Sequence, residues 1–304
     1  MLQRVVVTGM GCLTPLGLTV SDTWSHLLAG QSGISHLSLT SFPQQQNLDK
    51  AGADKSSEVD ALPVRIAGNL KGFDPLIWLE AKEARHFDPF IQVGVAASYE
   101  ALQSAGLLSD ASNRHSGAIS HVTDFSRVGV LLGSGIGGLS FIESQIKVLA
   151  SRGVHKISPF FIPGSIGNMA AGYISMRYGL KGPSFGVTSA CATGSHNIGL
   201  AYKSIQYGEA DIMLAGGVEM ASCHIGMAGF CALRALSSRH TEPEKASRPW
   251  DKQRDGFVLA DGAGVLVLES LPHALSRGAP ILAEVVGFGM SSDAYHLTAP
   301  NPEG

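Results

Sequence analysis

Short runs of apolar residues alternate along this chain with longer segments of mixed polarity. The runs have the length and composition that are typical of buried strands, and they occupy residues 4–9, 127–132, 210–216 and 281–286. Apolar positions recur at helical spacing between and beyond these runs, at residues 90–104, 166–178, 192–207 and 272–277. Strands and helices that alternate in this way predict an α/β fold.

The first predicted strand leads through a Gly/Pro-rich turn into a predicted helix. Ser21 or Asp22 is expected to cap this helix, because short polar side chains accept hydrogen bonds from first-turn N–H groups. Trp24 and Leu27 are expected to point inward from it. The segment 90–104 is predicted to be an amphipathic helix that ends at Gly106.

The stretch at residues 185–208 reads FGVTSACATGSHNIGLAYKSIQYG. Residues 185–189 are predicted to form a short buried strand, Ala190 and Cys191 a tight corner, and the following residues a helix that stops at Gly208. Cys191 would then lie at a helix N-terminus, where the dipole and the unpaired N–H groups favour the nucleophilic thiolate. A buried, inert cysteine is the alternative, and this stretch alone leaves both interpretations open.

The strand at 127–132 runs directly into the glycine-rich sequence GSGIGG at residues 133–138. This sequence fits the G-x-G-x-x-G pattern in which a helix N-terminus binds a dinucleotide pyrophosphate. That pattern also needs an acidic residue about 20 positions later for the ribose, and residues 151–168 contain no Asp or Glu. We therefore favour glycines that let the backbone pass close to a neighbouring element or to an acyl chain.

The composition is that of a globular protein with a large core: 44% of the 304 residues are hydrophobic, and 37 are glycine. A net charge of −3 without a Lys/Arg run makes nucleic acid and membrane surfaces poor candidate partners. Four cysteines without CxxC spacing favour a reducing compartment and argue against a metal site. The apolar run that begins at residue 5 leads us to expect no signal or transit peptide.

Two polar stretches, residues 40–63 and 109–126, are predicted to be surface loops. A charged turn later in the chain could hold a carboxylate pair for acid–base chemistry, but local pairing is the preferred interpretation. Its members are Arg248, Asp251, Arg254 and Asp255.

Six motifs that follow one another along nearly the whole chain resemble the β-ketoacyl-[acyl carrier protein] synthases, in the type II elongating subclass. They are VVVTGMGCLTPLG, LLGSGIGGL, KISPFFIPGSIGNMAAG, GPSFGVTSACATGSHNIG, RPWDKQRDGFVLADGAGVLVLE and VVGFGMSSDAYHLTAPNPEG. The resemblance implies a thiolase-like αβαβα sandwich, of which this chain would supply the N-terminal half (1–274) and the start of the C-terminal half (275–304). It implies no cofactor.

The resemblance also implies a role for individual residues. Cys191 would accept an acyl group from acyl-carrier protein as a thioester, and malonyl-carrier protein would then be decarboxylated to extend it. Ile136, Phe161 and Phe230 would line the acyl pocket, with Ile136 limiting chain length. Basic residues near the pocket mouth would contact the acidic carrier protein, with Lys82, Arg85, Lys156 and Arg234 as candidates.

The chain departs from the family pattern at several positions. Ala192 replaces the commoner hydroxyl residue after the nucleophile, and Ala260-Asp261 stands where Gly-Glu is usual. The family's two catalytic histidines, lysine and Gly-Phe-Gly-Gly loop are not among these motifs; His196 is expected to be a packed helix residue. We therefore expect the chain alone to be incomplete, to be an unstable monomer and to carry out no condensation.

By resemblance, the complete protein would be a cytoplasmic homodimer, or alternatively a protein of the mitochondrial matrix. Two other functions stay open from the sequence. One is a noncatalytic partner subunit, which usually lacks the active cysteine, and the other is a dinucleotide-binding oxidoreductase.

Overall fold

A six-stranded mixed sheet forms the centre of the molecule. The computed structural model describes residues 2–39, 61–109, 114–115 and 118–304, so most of the loop predicted at 40–63 and part of that at 109–126 lie outside the described residues. The sheet strands are β1 (Val5–Leu13), β4 (Val128–Gly133), β5 (Ser184–Phe185), β6 (Ile212–Glu219), β7 (Gly262–Ser270) and β8 (Ala283–Val285). A separate two-stranded sheet pairs β2 (Ser35–His36) with β3 (Ile66–Ala67).

The strand order of the main sheet is β5-β4-β6-β7-β1-β8. β4 runs parallel to both of its neighbours, whereas β7 pairs antiparallel with β6 and with β1. The carboxyl ends of β4 and β6 therefore lie side by side, at the same edge as the end of β1 and the start of β7. This edge becomes important for the site.

Helices cover both faces of the sheet. They are α1 (Val20–Leu28), α2 (Ala81–Ala84), α3 (Pro89–Ser104), α4 (Leu139–Arg152), α5 (Phe161–Ser165), α6 (Met169–Tyr178), α7 (Thr193–Gln206), α8 (His224–Ala232) and α9 (Leu271–Ser276). Short 3₁₀ turns lie at Pro75–Ile77, Phe125–Arg127, Val154–Lys156, Ala190–Ala192 and Pro243–Lys245. α3 and α6 pack on one face, and α7 packs on the other.

The strands are apolar on both faces because both faces are covered. On β6, Ile212 and Leu214 belong to the core beneath α3 and α6. The alternate residues Met213 and Ala215 belong to the core beneath α7. The continuous apolar run that predicted this strand is thus explained by burial from two sides.

α3 is buried almost all round, so the prediction of an amphipathic helix was wrong. Residues 89–99 are all buried, since the sheet lies on one side and α6 and the loops before it lie on the other. β1 can approach α3 only because residue 11 is glycine: a Cβ there would lie 2.0 Å from the carbonyl oxygen of Ala97. A helix apolar on all sides is typical of the middle of a large domain.

Two other local predictions need correction. Trp24 and Leu27 do not point inward: α1 has no buried residue, and their side chains are 58% and 53% exposed. Thr19, rather than Ser21 or Asp22, is the residue that caps α1, accepting from the Asp22 N–H. The strand predicted at 185–189 is only Ser184–Phe185, and it is exposed because it is the last strand at its edge of the sheet.

The remaining elements match their predictions to within a few residues. The segment predicted as one helix from 166 begins instead at Met169, after the separate short helix α5. β8 pairs antiparallel with β1, so residues beyond 274 contribute a strand to the main sheet. The division into domains 1–274 and 275–304 stays a prediction.

Asp88 ties the N-termini of two helices together inside the core. Its carboxylate accepts the Phe90 N–H of α3 at 3.0 Å and the Phe141 N–H of α4 at 2.8 Å. The side chain is completely buried, and this burial raises the pKa of Asp88 to about 7 despite the two hydrogen bonds. Proton uptake by this group is therefore linked to folding.

We predict that the contribution of Asp88 to the free energy of unfolding falls as the pH rises from about 4 to 7. In this window the folded chain binds a proton at Asp88 more tightly than the unfolded chain does, so its contribution is present at low pH and lost as the pH passes the folded pKa. The loss has an upper bound of about 4 kcal/mol. Asp88→Asn should flatten this pH dependence while lowering stability overall, because an amide N–H would face one backbone donor; urea unfolding across the pH range measures both.

Asp124→Asn is the matched control. Asp124 also accepts a backbone N–H two residues later, but it is exposed and the Ser126 hydrogen bonds lower its pKa. Its contribution therefore has the opposite sign and is lost as the pH falls. An Asp88→Asn variant with an unchanged pH slope between 4 and 7 would show that Asp88 does not titrate in this range.

Candidate active site

Cys191 lies at the corner between the sheet and α7. It is the middle residue of the 3₁₀ turn Ala190–Ala192, which runs directly into the helix. Ala190 before it has a φ of +50°, a left-handed conformation that costs a non-glycine residue roughly 1–3 kcal/mol. Cys191 lies at the head of the helix, as the sequence predicted, and its side chain is exposed.

Side chains of α7 hold the segment that leads into this turn. Asn197, which is fully buried, accepts the Val187 N–H at 2.9 Å and donates to the Val187 carbonyl at 3.2 Å. The hydroxyl of Thr193 accepts the Ser189 N–H at 2.9 Å. Residues 187–189 therefore form hydrogen bonds with side chains of α7, where a longer strand would form them with a neighbouring strand. This explains why the predicted strand ends early.

A cavity of about 800 Å³ opens beside Cys191. Its lining includes Ile136 from the glycine-rich loop and Phe230 from α8, together with Leu13 and Val218 from the sheet edge. Phe230 stands edge-on to Phe257, with ring centroids 5.5 Å apart. An exposed thiol beside a mainly apolar cavity can hold an acyl chain as a thioester.

Phe161 does not line this cavity. It stands edge-on to Phe141, with centroids 6.2 Å apart, where α5 packs on α4. Of the three predicted pocket residues, the structure therefore brings Ile136 and Phe230 to Cys191 and leaves Phe161 in a different contact.

The four predicted carrier-contact residues, Lys82, Arg85, Lys156 and Arg234, are all exposed. One aromatic stack connects the segments of Arg85 and Lys156: His86, next to Arg85, stacks on Phe160, four residues after Lys156, with ring centroids 3.6 Å apart. Burial, followed by the nearby charges of Lys82 and Arg85, lowers the pKa of His86. Arg234 lies two residues beyond the end of α8.

Two carboxylates in the cavity wall, the half-buried Glu219 and the buried Asp261, were not predicted as site residues. Glu219, at the end of β6, accepts hydrogen bonds from the Ser134 hydroxyl at 2.8 Å and the Ile136 N–H at 3.0 Å. Asp261 accepts from the Ser222 N–H and hydroxyl and from the Asn69 amide. Burial raises the pKa of both acids, and both have protein donors for partners.

The glycine-rich loop is not arranged as a dinucleotide cradle. The Ile136 N–H is bound to Glu219, and the Gly137 N–H is bound to the Ser134 hydroxyl at 2.7 Å. The carboxylate of Asp88 occupies the N-terminus of α4, where a pyrophosphate would have to bind. A Cβ on Gly133 would lie 2.4 Å from the Val187 carbonyl oxygen, so this glycine serves close backbone approach, as the sequence analysis favoured.

The charged turn forms the local contacts that were expected, with one difference. Arg248 pairs with Asp251 at 3.0 Å, and Arg254 donates to the Asp251 carbonyl. Asp255 instead accepts from the Ser237 hydroxyl. His196 is half-buried on α7, where its Nδ1 lies 2.6 Å from the Ser189 hydroxyl.

Neither a metal cluster nor a membrane-spanning helix is found within the part of the chain that the structure describes. No group of three or more His, Cys, Asp or Glu residues there could hold a metal ion. None of the described helices is both long and apolar enough to cross a membrane.

Comparison with known proteins identifies the class. Residues 2–274 match the family described as Beta-ketoacyl synthase, N-terminal domain. The chain is 50% identical over 305 residues to 3-oxoacyl-[acyl-carrier-protein] synthase 2 of Vibrio cholerae, covering 99% of this chain and 66% of that protein. A solved beta-ketoacyl synthase from Burkholderia phymatum is similar with a TM-score of 0.79 at 33% identity, over 99% of this chain and 67% of the other.

A second similar structure is a ketosynthase in complex with a type II PKS acyl-carrier protein. It matches with a TM-score of 0.76 at 29% identity, over 97% of this chain and 65% of the other. The mixed sheet between helices, with a thiol at the head of α7, is thus the thiolase-like α/β fold of the ketosynthases. The chain belongs to the β-ketoacyl synthase family, and it spans about two thirds of the length of the relatives that it matches.

We predict that Cys191 is the fastest of the four cysteines to react with iodoacetamide in the folded chain at neutral pH. Cys223 is buried, and this burial raises its thiol pKa to about 11; burial also raises the pKa of Cys12. Cys231 is only half-buried and is the internal comparison. Peptide mapping after brief labelling measures all four rates together.

The same labelling in 6 M guanidinium chloride is the control, because unfolding should bring the four rates together. If Cys12, Cys223 or Cys231 is modified before Cys191 in the folded chain, the assignment of the nucleophile is wrong.

Proposed function

We propose that this chain carries the acyl-accepting centre of a 3-oxoacyl-[acyl carrier protein] synthase of fatty-acid elongation. The observation that carries the proposal is the exposed thiol of Cys191 at the mouth of an apolar cavity that Ile136 and Phe230 help to line. The names of the relatives support the same activity. A noncatalytic partner subunit is disfavoured because the nucleophile is present and accessible.

In the proposed reaction the Cys191 sulfur attacks the carbonyl carbon of an acyl-carrier-protein thioester. The tetrahedral intermediate collapses with release of the carrier's thiol, which takes up the proton that Cys191 gives up, and the acyl chain enters the cavity. The enzyme then extends this thioester by two carbons, using the carbanion formed by decarboxylation of malonyl-carrier protein. No histidine lines the cavity among the described residues, so we assign only the acyl-transfer step to named residues here.

We predict that octanoyl-carrier protein transfers one acyl group to Cys191 of this chain. Intact-mass analysis should show a single octanoyl adduct, and peptide mapping should place it on Cys191. Cys191→Ser should abolish the adduct under the same conditions, whereas Cys231→Ser should retain it. Transfer to another residue, or none to a folded chain, would contradict the proposal.

The carrier protein is proposed to dock on the surface that bears Lys82, Arg85, Lys156 and Arg234. The His86–Phe160 stack brings the segment of Lys82 and Arg85 close to the turn that ends at Lys156. Arg234 follows by four residues Phe230, which lines the cavity. A positively charged surface would attract an acidic carrier and raise its association rate.

We predict that the double reversal Lys82→Glu and Arg85→Glu slows octanoyl transfer about tenfold at low salt. The difference should shrink in 0.5 M NaCl, since exposed charges are then strongly screened. Lys181→Glu is the matched control: this exposed lysine lies at the amino ends of the parallel strands, opposite to the site. Equal effects of the two reversals, or an effect that salt does not reduce, would contradict docking at this surface.

A homodimer and a cytoplasmic location are further parts of the proposal. β5 lies at the edge of the sheet, and Phe185 on it is 43% exposed. An open strand edge can pair with the same edge of a second copy. All four cysteines are free thiols, which is typical of proteins in a reducing compartment.

A further inference from the structure

Glu219 holds the loop that carries Ile136. One carboxylate oxygen accepts the Ile136 N–H at 3.0 Å, and the other accepts the Ser134 hydroxyl at 2.8 Å. Both donors belong to the glycine-rich loop, and Glu219 belongs to the neighbouring strand β6. The loop is therefore attached to the sheet by a side chain 83 residues away in sequence.

Ser134 extends this attachment toward the nucleophile. Its hydroxyl also accepts the Gly137 N–H at 2.7 Å, which closes the loop on itself. Its carbonyl oxygen accepts the Thr188 hydroxyl at 3.0 Å, and Thr188 lies three residues before Cys191. Glu219, Ser134 and Thr188 thus connect the Ile136 loop with the segment that presents the thiol.

A structural carboxylate at this position has a desolvation cost, because it lies in the wall of an apolar cavity. The hydrogen bonds that offset this cost come from three residues of the loop and from the backbone of Met220, and none comes from a charged partner. Without the carboxylate, the Ile136 N–H would keep only its longer contact with the Ser134 hydroxyl, at 3.3 Å, and the loop would lose the side-chain attachment to β6.

We propose that Glu219 is a positioning residue that sets acyl-chain selectivity by holding Ile136 at a fixed place relative to Cys191. The inference rests on the proposed function only in treating this cavity as the acyl site. Releasing the loop lets Ile136 move away, so that longer chains enter. The same connected residues, Glu219, Ser134 and Thr188, would then fix both Cys191, which holds the thioester, and Ile136, which limits the position of the terminal methyl group.

The test uses alkyl methanethiosulfonates of increasing chain length on this 304-residue chain. The Cys191 thiolate attacks the sulfenyl sulfur, forms a mixed disulfide and releases methanesulfinate, so the reaction needs no carrier protein. The measured quantity is the rate of Cys191 labelling by the octyl reagent divided by that by the methyl reagent. Thermal unfolding of each variant establishes that it is folded.

We expect Glu219→Leu to raise the octyl-to-methyl ratio at least about fivefold, a discrimination typical of small changes in an apolar pocket. Glu219→Gln should keep the wild-type ratio, because its amide oxygen can accept from Ile136 and its amide group can donate to Ser134. Ser134→Ala removes the bond to Glu219 and the acceptor of the Gly137 N–H but keeps the Ile136–Glu219 bond. It should give an intermediate ratio, and it serves if Glu219→Leu does not fold.

A double variant separates positioning from a general structural role. Ile136→Ala should itself raise the ratio, and adding Glu219→Leu to it should raise it little further, because both act on one side chain. Additive effects, an unchanged ratio in Glu219→Leu, or a Glu219→Gln variant that matches Leu would each overturn the proposal. If the alkyl methanethiosulfonates give the expected ratios but octanoyl-carrier protein does not acylate Cys191, the result counts against the proposed function and not against the role of Glu219.

Discussion

The burial of the central sheet on both faces is the constraint on which the rest of this structure depends. With α3 and α6 on one side and α7 on the other, only the strand ends are free to reach a ligand. β4 and β6 are parallel neighbours, so Gly133 and Glu219 end at one edge. The end of β1 and the start of β7 lie at the same edge, because β7 runs antiparallel to both β6 and β1. Ligand sites of parallel sheets form at such carboxyl ends.

Much of this architecture could be predicted from the sequence, because burial from two sides leaves continuous apolar runs. β4, β6 and α7 lie within a few residues of their predicted positions, and the motif around Cys191 indicated its place at the head of α7. The orientation of α1 was predicted wrongly, since apolar residues at helical spacing show that a helix has an apolar side but not what covers it. α3 was mistaken for an amphipathic helix for the same reason.

The polar contacts that hold the site could not be predicted from local patterns. Asn197 is bound to Val187 and Glu219 to Ile136, and both pairings depend on how β4, β6 and α7 are placed side by side. A weak signal was present: Glu219 is an acid at the end of an apolar strand, and Asn197 is an amide among small residues on a helix. Neither residue indicates its partner. Phe161 shows the converse, since a motif placed it in the pocket and the described structure places it against Phe141.

The antiparallel pairing of β1 with β7 bears on how the chain is made. Leu13 pairs with Ala263, so the partner strand of β1 is synthesised about 250 residues after β1 itself. At roughly 5–20 residues per second, that delay is on the order of 10–50 s. α3 is complete long before then and already meets β1 at Gly11. This helix can therefore cover the apolar side chains of β1 before β7 is synthesised. Substitutions that loosen the contact between α3 and β1 should lower the yield of folded protein more than they lower its final stability.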